Sequence, residues 1–110
     1  MLNAWIVDIL ERKVEAGRTH SARARLLISG RVQGVFYRAF TEDVARSLDL
    51  KGWVRNIPGG KVEAVFEGDK KSIEDAIGEC YKGPPSSRVD DIDVTWEDFR
   101  GEFDSFYVKH

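Results

Sequence analysis

The sequence predicts a two-layer α+β sandwich in which both helices cover one face of a largely antiparallel sheet. Segments with the period of a strand alternate with segments that have the period of a helix. Clusters of glycine and proline separate these segments and mark the turns between them. The chain has 110 residues, which is enough for one domain with a sizeable core but not for two.

Five segments have the composition and alternation of strands. They cover residues 22–29, 52–57, 61–67, 89–96 and 105–109. The third shows the alternation best, because Val62, Ala64 and Phe66 fall on one face. Between the second and third segments, residues 57–60 (Ile-Pro-Gly-Gly) suit a tight turn, since proline presets one dihedral and glycine accepts a positive one.

Two segments have helical spacing. The first covers residues 35–48, in which four apolar residues recur at helical intervals: Tyr37, Phe40, Val44 and Leu48. The second follows Asp69, which can cap it, and ends at Gly83-Pro84-Pro85. The resulting order, βαββαβ with a last strand added, is that of the ferredoxin-like sandwich.

Residues 1–21 form an extension that is separate from the domain of residues 22–110. Five apolar residues lie at helical intervals and predict a short amphipathic helix: Leu2, Ile6, Ile9, Leu10 and Val14. Residues 17–21 then have the composition of a linker. The segment is either a poorly ordered extension or upstream start, or a helix that docks on the domain or on a second copy. We favour the first interpretation, because isolated helices of this length are marginally stable.

Composition narrows the class of protein. A formal net charge of −2 argues against a general nucleic-acid binder, which usually carries a strongly basic face. The single cysteine cannot form an internal disulfide, and no apolar run approaches the roughly 20 residues of a membrane span. The first residues lack a basic leader, and Asp8 interrupts their apolar stretch, so they make a poor signal peptide. We therefore expect a cytoplasmic monomer without membrane or nucleic-acid partners, with residues 1–21 as the segment for any self-association.

The most informative stretch runs from Gly30 to Arg38 and reads Gly-Arg-Val-Gln-Gly-Val-Phe-Tyr-Arg. It connects the first strand to the first helix through a turn that contains two glycines. A loop that opens onto a helix N-terminus leaves backbone N–H groups unpaired, and these attract an anion. Arg38 falls in the first helical turn, where its guanidinium can bind the same anion through two parallel hydrogen bonds. The stretch therefore predicts a phosphate cradle.

Two familiar phosphate loops do not fit this stretch. A Walker loop needs four residues between its glycines and then Lys-Ser/Thr, whereas three residues separate Gly30 from Gly34 and Val35 follows. A Cys-x5-Arg loop would place its thiol at position 32, which is Val32. The cradle therefore lacks a covalent nucleophile, and any hydrolysis there should use water directly.

Two segments resemble the signature segments of the acylphosphatase family: residues 30–38 and residues 52–56, which read Gly-Trp-Val-Arg-Asn. The resemblance extends roughly over residues 22–109 and includes four further short segments: residues 59–63, 67–69, 83–85 and 88–89. Single glycines would be weak indicators, but two long segments at the separation seen in the family are strong ones.

The resemblance implies the roles of individual residues. Arg38 matches the family's catalytic, phosphate-binding arginine, and Asn56 matches its catalytic asparagine, which orients the attacking water. The phosphate-binding residues are then Gln33, Gly34, Val35, Phe36, Tyr37 and Arg38, of which those before Arg38 contribute mainly main-chain N–H groups. Thr41 either supports Arg38 or Asn56, or is an ordinary threonine on the helix surface.

The implied reaction is hydrolysis of an acyl phosphate to a carboxylate and inorganic phosphate. A carboxylate leaves without a proton at neutral pH, so positioning and charge stabilisation suffice. We therefore expect no cofactor and no metal site, and a small-molecule acyl phosphate and inorganic phosphate as the ligands.

Two other functions are weaker alternatives. A phosphate-binding module without catalysis would have little use for Asn56. RNA-recognition motifs share the order of elements, but their third strand carries several aromatic and basic residues. Here residues 61–67 contain one aromatic residue and two glutamates.

Several residues are assigned no chemical role. His20 and His110 lie near the ends of the sequence, and Cys80 and Trp53 are expected in the core. The aspartates of residues 90–93 are expected on a solvated strand face rather than around a metal.

Overall fold

The structure is a computed structural model that describes residues 21–110. Its elements in chain order are β1 (Ser21–Arg31), α1 (Tyr37–Ser47), β2 (Lys51–Ile57), β3 (Lys61–Asp69), α2 (Lys70–Lys82), β4 (Arg88–Glu97) and β5 (Phe106–Val108). This order confirms the predicted α+β fold class. The helix and linker predicted for residues 1–21 lie outside the described residues, apart from Ser21, which is the first residue of β1.

The five strands form one sheet in the order β4-β1-β3-β2-β5. The neighbours β4-β1, β1-β3 and β3-β2 are antiparallel, whereas β5 runs parallel to β2, with Gly52 opposite Phe106 and Val54 opposite Val108. The parallel pairing brings the last residues of the sequence to the end of β2 that carries Asn56.

The main core lies between one face of the sheet and the two helices. It contains fully buried side chains from both layers, among them Leu26, Ile28, Val62, Ala64, Phe66, Ile73, Ala76 and Cys80. The alternation predicted for β3 and the burial of Cys80 are therefore confirmed. Neither helix in residues 21–110 has the length and hydropathy to cross a membrane.

The ends of the helices follow from local chemistry. Asp69 caps α2, because its carboxylate accepts a 3.3 Å hydrogen bond from the Ser72 N–H. Gly83 ends α2 with a φ of 64°, a conformation that favours glycine. The first helix was predicted from residue 35 but begins at Tyr37, because Phe36 adopts a left-handed conformation with φ 63°.

A bulge in β4, with Asp90 as its extra residue, lies opposite the part of β1 just before the predicted cradle. The register with β4 shifts between Ser29, which faces Asp91, and Gly30, which faces Val89. A Cβ atom on Gly30 would lie 2.1 Å from the Arg88 carbonyl oxygen, so the close approach of the two strands requires glycine.

The face of the sheet opposite the helices is rich in charge. Trp53 was predicted to be a core residue, but it points away from Val54 and the main core, since adjacent strand residues alternate, and it is buried on this opposite face. Its ring lies beneath the cationic groups of Arg25, Arg55 and Lys109, at 4.8–5.9 Å.

Candidate active site

A cavity of about 420 Å³ opens where the loop after β1, the first turn of α1 and the ends of β2 and β5 meet. Its lining residues are Val32, Gly34, Phe36, Tyr37, Arg38, Ala39, Asn56, Val108 and His110. Arg38 and Asn56, which sequence reasoning assigned to one site, thus line the same cavity, and the predicted loop forms one of its walls.

The loop is held by its valines and turned by left-handed residues. Val32 and Val35 are buried and anchor it to the core. Gly34 has a φ of 72° and Phe36 a φ of 63°, so the chain reverses sharply just before the helix. Val35 therefore packs in the core, whereas the Phe36 side chain is exposed.

The first turn of α1 offers backbone donors. The Phe40 N–H donates to the Phe36 carbonyl at 3.1 Å and begins the helical ladder. The N–H groups of Tyr37, Arg38 and Ala39 precede this bond and cannot be paired within the helix. Because these residues line the cavity, the positive end of the helix faces the space in which an anion would bind.

Arg38 adds a full positive charge at this helix end. The first turn of α1 contains no acidic residue. None of the ion pairs between residues 21 and 110 involves Arg38. Since a cation beside a helix N-terminus is unfavourable without an anion, the arrangement suits a ligand with several negatively charged oxygens.

Asn56 lies in β2 and is exposed to the cavity. By alternation it is on the same sheet face as Val54, the face that the helices cover. Its carboxamide makes no hydrogen bond to any other described side chain or backbone group, so its donor and acceptor are available to a bound molecule.

The side chain of Gln33 has a role in addition to the main-chain contribution predicted for this residue. Its side-chain amide donates to the carbonyls of Ile57 at 2.9 Å and Lys61 at 2.8 Å. Ile57 and Lys61 are opposite each other at the end of the β2–β3 hairpin, next to Asn56. Gln33 therefore ties the loop to the strand that carries Asn56.

Tyr37, the first residue of α1, joins that helix to α2. Its hydroxyl donates to the Cys80 carbonyl at 2.7 Å, and burial raises the pKa of the phenol above its ordinary value. Burial likewise raises the pKa of the Cys80 thiol to about 12, so this side chain stays a neutral core group.

Thr41 differs from both predictions made for it. The side chain is fully buried and does not lie on the helix surface. Its hydroxyl donates to the Tyr37 carbonyl at 2.9 Å and forms no hydrogen bond with Arg38 or Asn56. Thr41 therefore supports the first helical residue through a hydrogen bond from its side chain to a backbone carbonyl within α1.

His110 lines the cavity, although the sequence analysis assigned it no role. It follows β5, and the Lys109 N–H donates to the Val54 carbonyl at 2.8 Å, which continues the pairing with β2. Only recognition of the parallel β2–β5 pairing would have placed it near Asn56. The aspartates at positions 90, 91 and 93 are exposed, as predicted.

Comparison with known proteins identifies the family of the chain. The acylphosphatase family model matches residues 24–108. An acylphosphatase from Pelotomaculum thermopropionicum is 45% identical over 87 residues, which cover 79% of this chain and 95% of the relative. An acylphosphatase from Syntrophobacter fumaroxidans is 52% identical over 86 residues, covering 78% of this chain and 89% of the relative.

Solved structures give the same result. The crystal structure of acylphosphatase from Bacillus subtilis superposes with a TM-score of 0.79 at 32% identity, covering 81% of this chain and 99% of that chain. An acylphosphatase from Coxiella burnetii gives a TM-score of 0.78 at 31% identity, covering 82% and 94%. The chain therefore belongs to the acylphosphatase family of acid-anhydride hydrolases.

Proposed function

We propose that this chain hydrolyses the carboxyl–phosphate bond of acyl phosphates in the cavity lined by Arg38 and Asn56. The observation that carries the proposal is the position of these two residues. A guanidinium at a helix N-terminus and a free carboxamide on a neighbouring strand line one cavity.

The phosphate group binds at the cradle. Its oxygens accept hydrogen bonds from main-chain N–H groups of residues 33–38 and from the fork of the Arg38 guanidinium. These donors face the equatorial oxygens, where negative charge gathers in the transition state. The cradle is fixed before the substrate arrives, because Gln33 binds it to the β2–β3 hairpin and Tyr37 binds it to α2.

Asn56 holds the attacking water. An amide both donates and accepts, so it can fix the position and the direction of one water molecule. The water oxygen forms a bond to phosphorus while the bond from phosphorus to the acyl oxygen breaks, and the electron pair leaves with the carboxylate. Our candidate for the acceptor of the water's proton is the phosphate group of the substrate.

This reaction requires few groups from the protein. The carboxylate is stable without a proton at neutral pH, so no general acid is needed. We propose that the reaction uses neither a metal ion nor a cofactor. We further propose that the enzyme acts in the cytoplasm as a monomer with small-molecule substrates.

Hydrolysis of benzoyl phosphate, followed by its ultraviolet absorbance with and without a chelator, tests the proposal. Arg38→Ala should abolish both turnover and inhibition by inorganic phosphate. Asn56→Ala should lower kcat by about a thousandfold while phosphate binding persists. Arg88→Ala is the control, because Arg88 is exposed and pairs with Asp90 on β4, so its kcat should equal that of the wild type.

Each contrary result has a distinct meaning. Near-normal turnover by Asn56→Ala would contradict the role of Asn56. Loss of activity with the chelator would contradict the metal-free reaction. A folded wild-type protein that binds phosphate without turnover would be a binding module.

A further inference from the structure

The lining of the cavity combines polar and apolar groups. Arg38, Asn56 and the backbone donors of the first helical turn are polar. Phe36 and Val108 are apolar, and Val108 pairs with Val54, two residues before Asn56, whereas Phe36 comes from the loop before α1. Tyr37 also lines the cavity, but its hydroxyl already donates a hydrogen bond to the Cys80 carbonyl.

Phe36 is unusual in both its exposure and its backbone. Its side chain is 82% exposed, so packing within residues 21–110 does not explain an aromatic residue at this position. Its φ of 63° is disfavoured for a bulky residue, and glycine would fit the conformation with less strain. It also provides no side-chain hydrogen bond to cap α1. Contact with a molecule in the cavity would explain the ring.

We propose that Phe36 is a specificity-determining residue whose ring forms a subsite for an apolar acyl group. This inference rests on the proposed function, because it assumes that an acyl phosphate occupies the cavity. The substrate class it assigns is acyl phosphates with an aryl or extended aliphatic acyl group, in preference to those with a small acyl group.

The position of Phe36 follows from in-line displacement. The leaving acyl oxygen must lie opposite the water that Asn56 holds, so the acyl group points away from Asn56. Phe36 immediately precedes the N–H groups that bind the phosphate, so its ring lies within reach of a group attached to that phosphate. Burial of apolar acyl surface against the ring stabilises the bound substrate.

The test compares benzoyl phosphate with acetyl phosphate, which share the phosphate group and the bond that is cleaved. The measured quantity is the ratio of their kcat/KM values. Phe36→Ala should lower the benzoyl-to-acetyl ratio by about tenfold, mainly through the KM for benzoyl phosphate. Phe36→Tyr keeps the ring and should retain most of the wild-type ratio.

A matched control separates the ring at position 36 from a general loss of exposed aromatic surface. Phe99 is 48% exposed and does not line this cavity, so Phe99→Ala should leave the ratio at its wild-type value. Phe36→Gly separates the ring from the backbone, because glycine accepts the left-handed conformation. The inference expects Phe36→Gly and Phe36→Ala to lower the ratio alike.

Two results would overturn the inference while leaving the proposed function intact. One is a wild-type ratio in Phe36→Ala, and the other is recovery of that ratio in Phe36→Gly. Wild-type protein that hydrolyses neither substrate would instead contradict the proposed function, and this inference with it.

Discussion

The hydroxyl of Tyr37 donates a 2.7 Å hydrogen bond to the carbonyl of Cys80, and the reason lies four residues further along the chain. The helical partner of the Cys80 carbonyl would be the N–H of residue 84, but residue 84 is proline and has none. Tyr37 supplies the missing donor. The first residue of α1 is thereby fixed to the last turn of α2.

Removal of this bond should destabilise the fold. Tyr37→Phe leaves the Cys80 carbonyl without a partner in a buried site, which should lower the free energy of unfolding by about 1–3 kcal/mol. Tyr81→Phe is the matched control, since the Tyr81 hydroxyl donates a longer, 3.3 Å bond to the Ile92 carbonyl from a half-exposed ring. Urea unfolding of both variants measures the difference, and equal losses would contradict the special role of Tyr37.

The Gln33 side chain should matter for turnover. Gln33→Ala removes both bonds to the β2–β3 hairpin and unlinks the loop from the strand that carries Asn56, so kcat should fall by about tenfold. The inhibition constant for inorganic phosphate should change much less, because the main-chain donors remain. Lys61→Ala keeps the backbone acceptor and should have wild-type kcat. A fall in phosphate affinity as large as the fall in kcat would contradict a positioning role for Gln33.

Glutamates on the charged face of the sheet should make stability depend on pH. Burial opposes ionisation of Glu67, but hydrogen bonds from the Arg100 N–H and the Arg23 guanidinium outweigh it and lower its pKa. The pKa of Glu97 is also lowered, by hydrogen bonds from Arg23 and Arg25. A carboxyl with a lowered pKa stabilises the fold fully above its unfolded pKa of about 4.3, and this contribution is lost as the pH falls through the folded pKa.

We therefore expect the free energy of unfolding to fall as the pH drops below about 5. Glu67→Gln should lower it by about 1–3 kcal/mol at neutral pH, and should make its decline in acid shallower. Asp75→Asn is the control, because Asp75 pairs with Lys71 on an exposed helix face and should have no measurable effect. Chemical unfolding between neutral and acidic pH measures both quantities. An unchanged acid slope in Glu67→Gln would show that other groups determine it.

Two glycines should respond to alanine in opposite directions. Gly30→Ala places a methyl group 2.1 Å from the Arg88 carbonyl oxygen, and we expect a loss of about 3 kcal/mol or more. Gly78 lies within α2, where an added methyl group would meet no neighbour within 4 Å among residues 21–110, so Gly78→Ala should add about 0.5–1 kcal/mol. Thermal unfolding distinguishes the two variants, and a small effect at Gly30 would mean that the bulge can relax.

Much of the fold was predictable because hydrophobic period and turn chemistry agree along the chain. The alternation of Val62, Ala64 and Phe66 indicated β3, and Asp69 and Gly83 marked the ends of α2. The start of α1 was predicted two residues early, because the left-handed conformation of Phe36 has no signal in a period count. The parallel pairing of β5 depends on contacts far apart in the sequence, which no local pattern records.

The candidate site was predictable where the residues belong to a motif. Arg38 and Asn56 were named from the sequence and line one cavity in the structure. The side-chain bonds of Gln33 and Thr41 were not foreseen, because their partners are backbone carbonyls that any residue could provide. His110 was missed because its place depends on how β5 pairs.

At this loop, the main chain is the proposed donor to the phosphate, and the side chain of residue 36 is the proposed contact for the acyl group. This separation affects how the substrate specificity of such an enzyme can change. A substitution replaces the side chain but keeps the main-chain N–H donor, provided that the backbone conformation stays the same. The outward side chain at position 36 can therefore be exchanged to suit a different metabolite, while the affinity for inorganic product stays nearly constant. Selection for a new substrate thus acts on the side chain of this residue, whereas retention of the chemistry depends on its main chain.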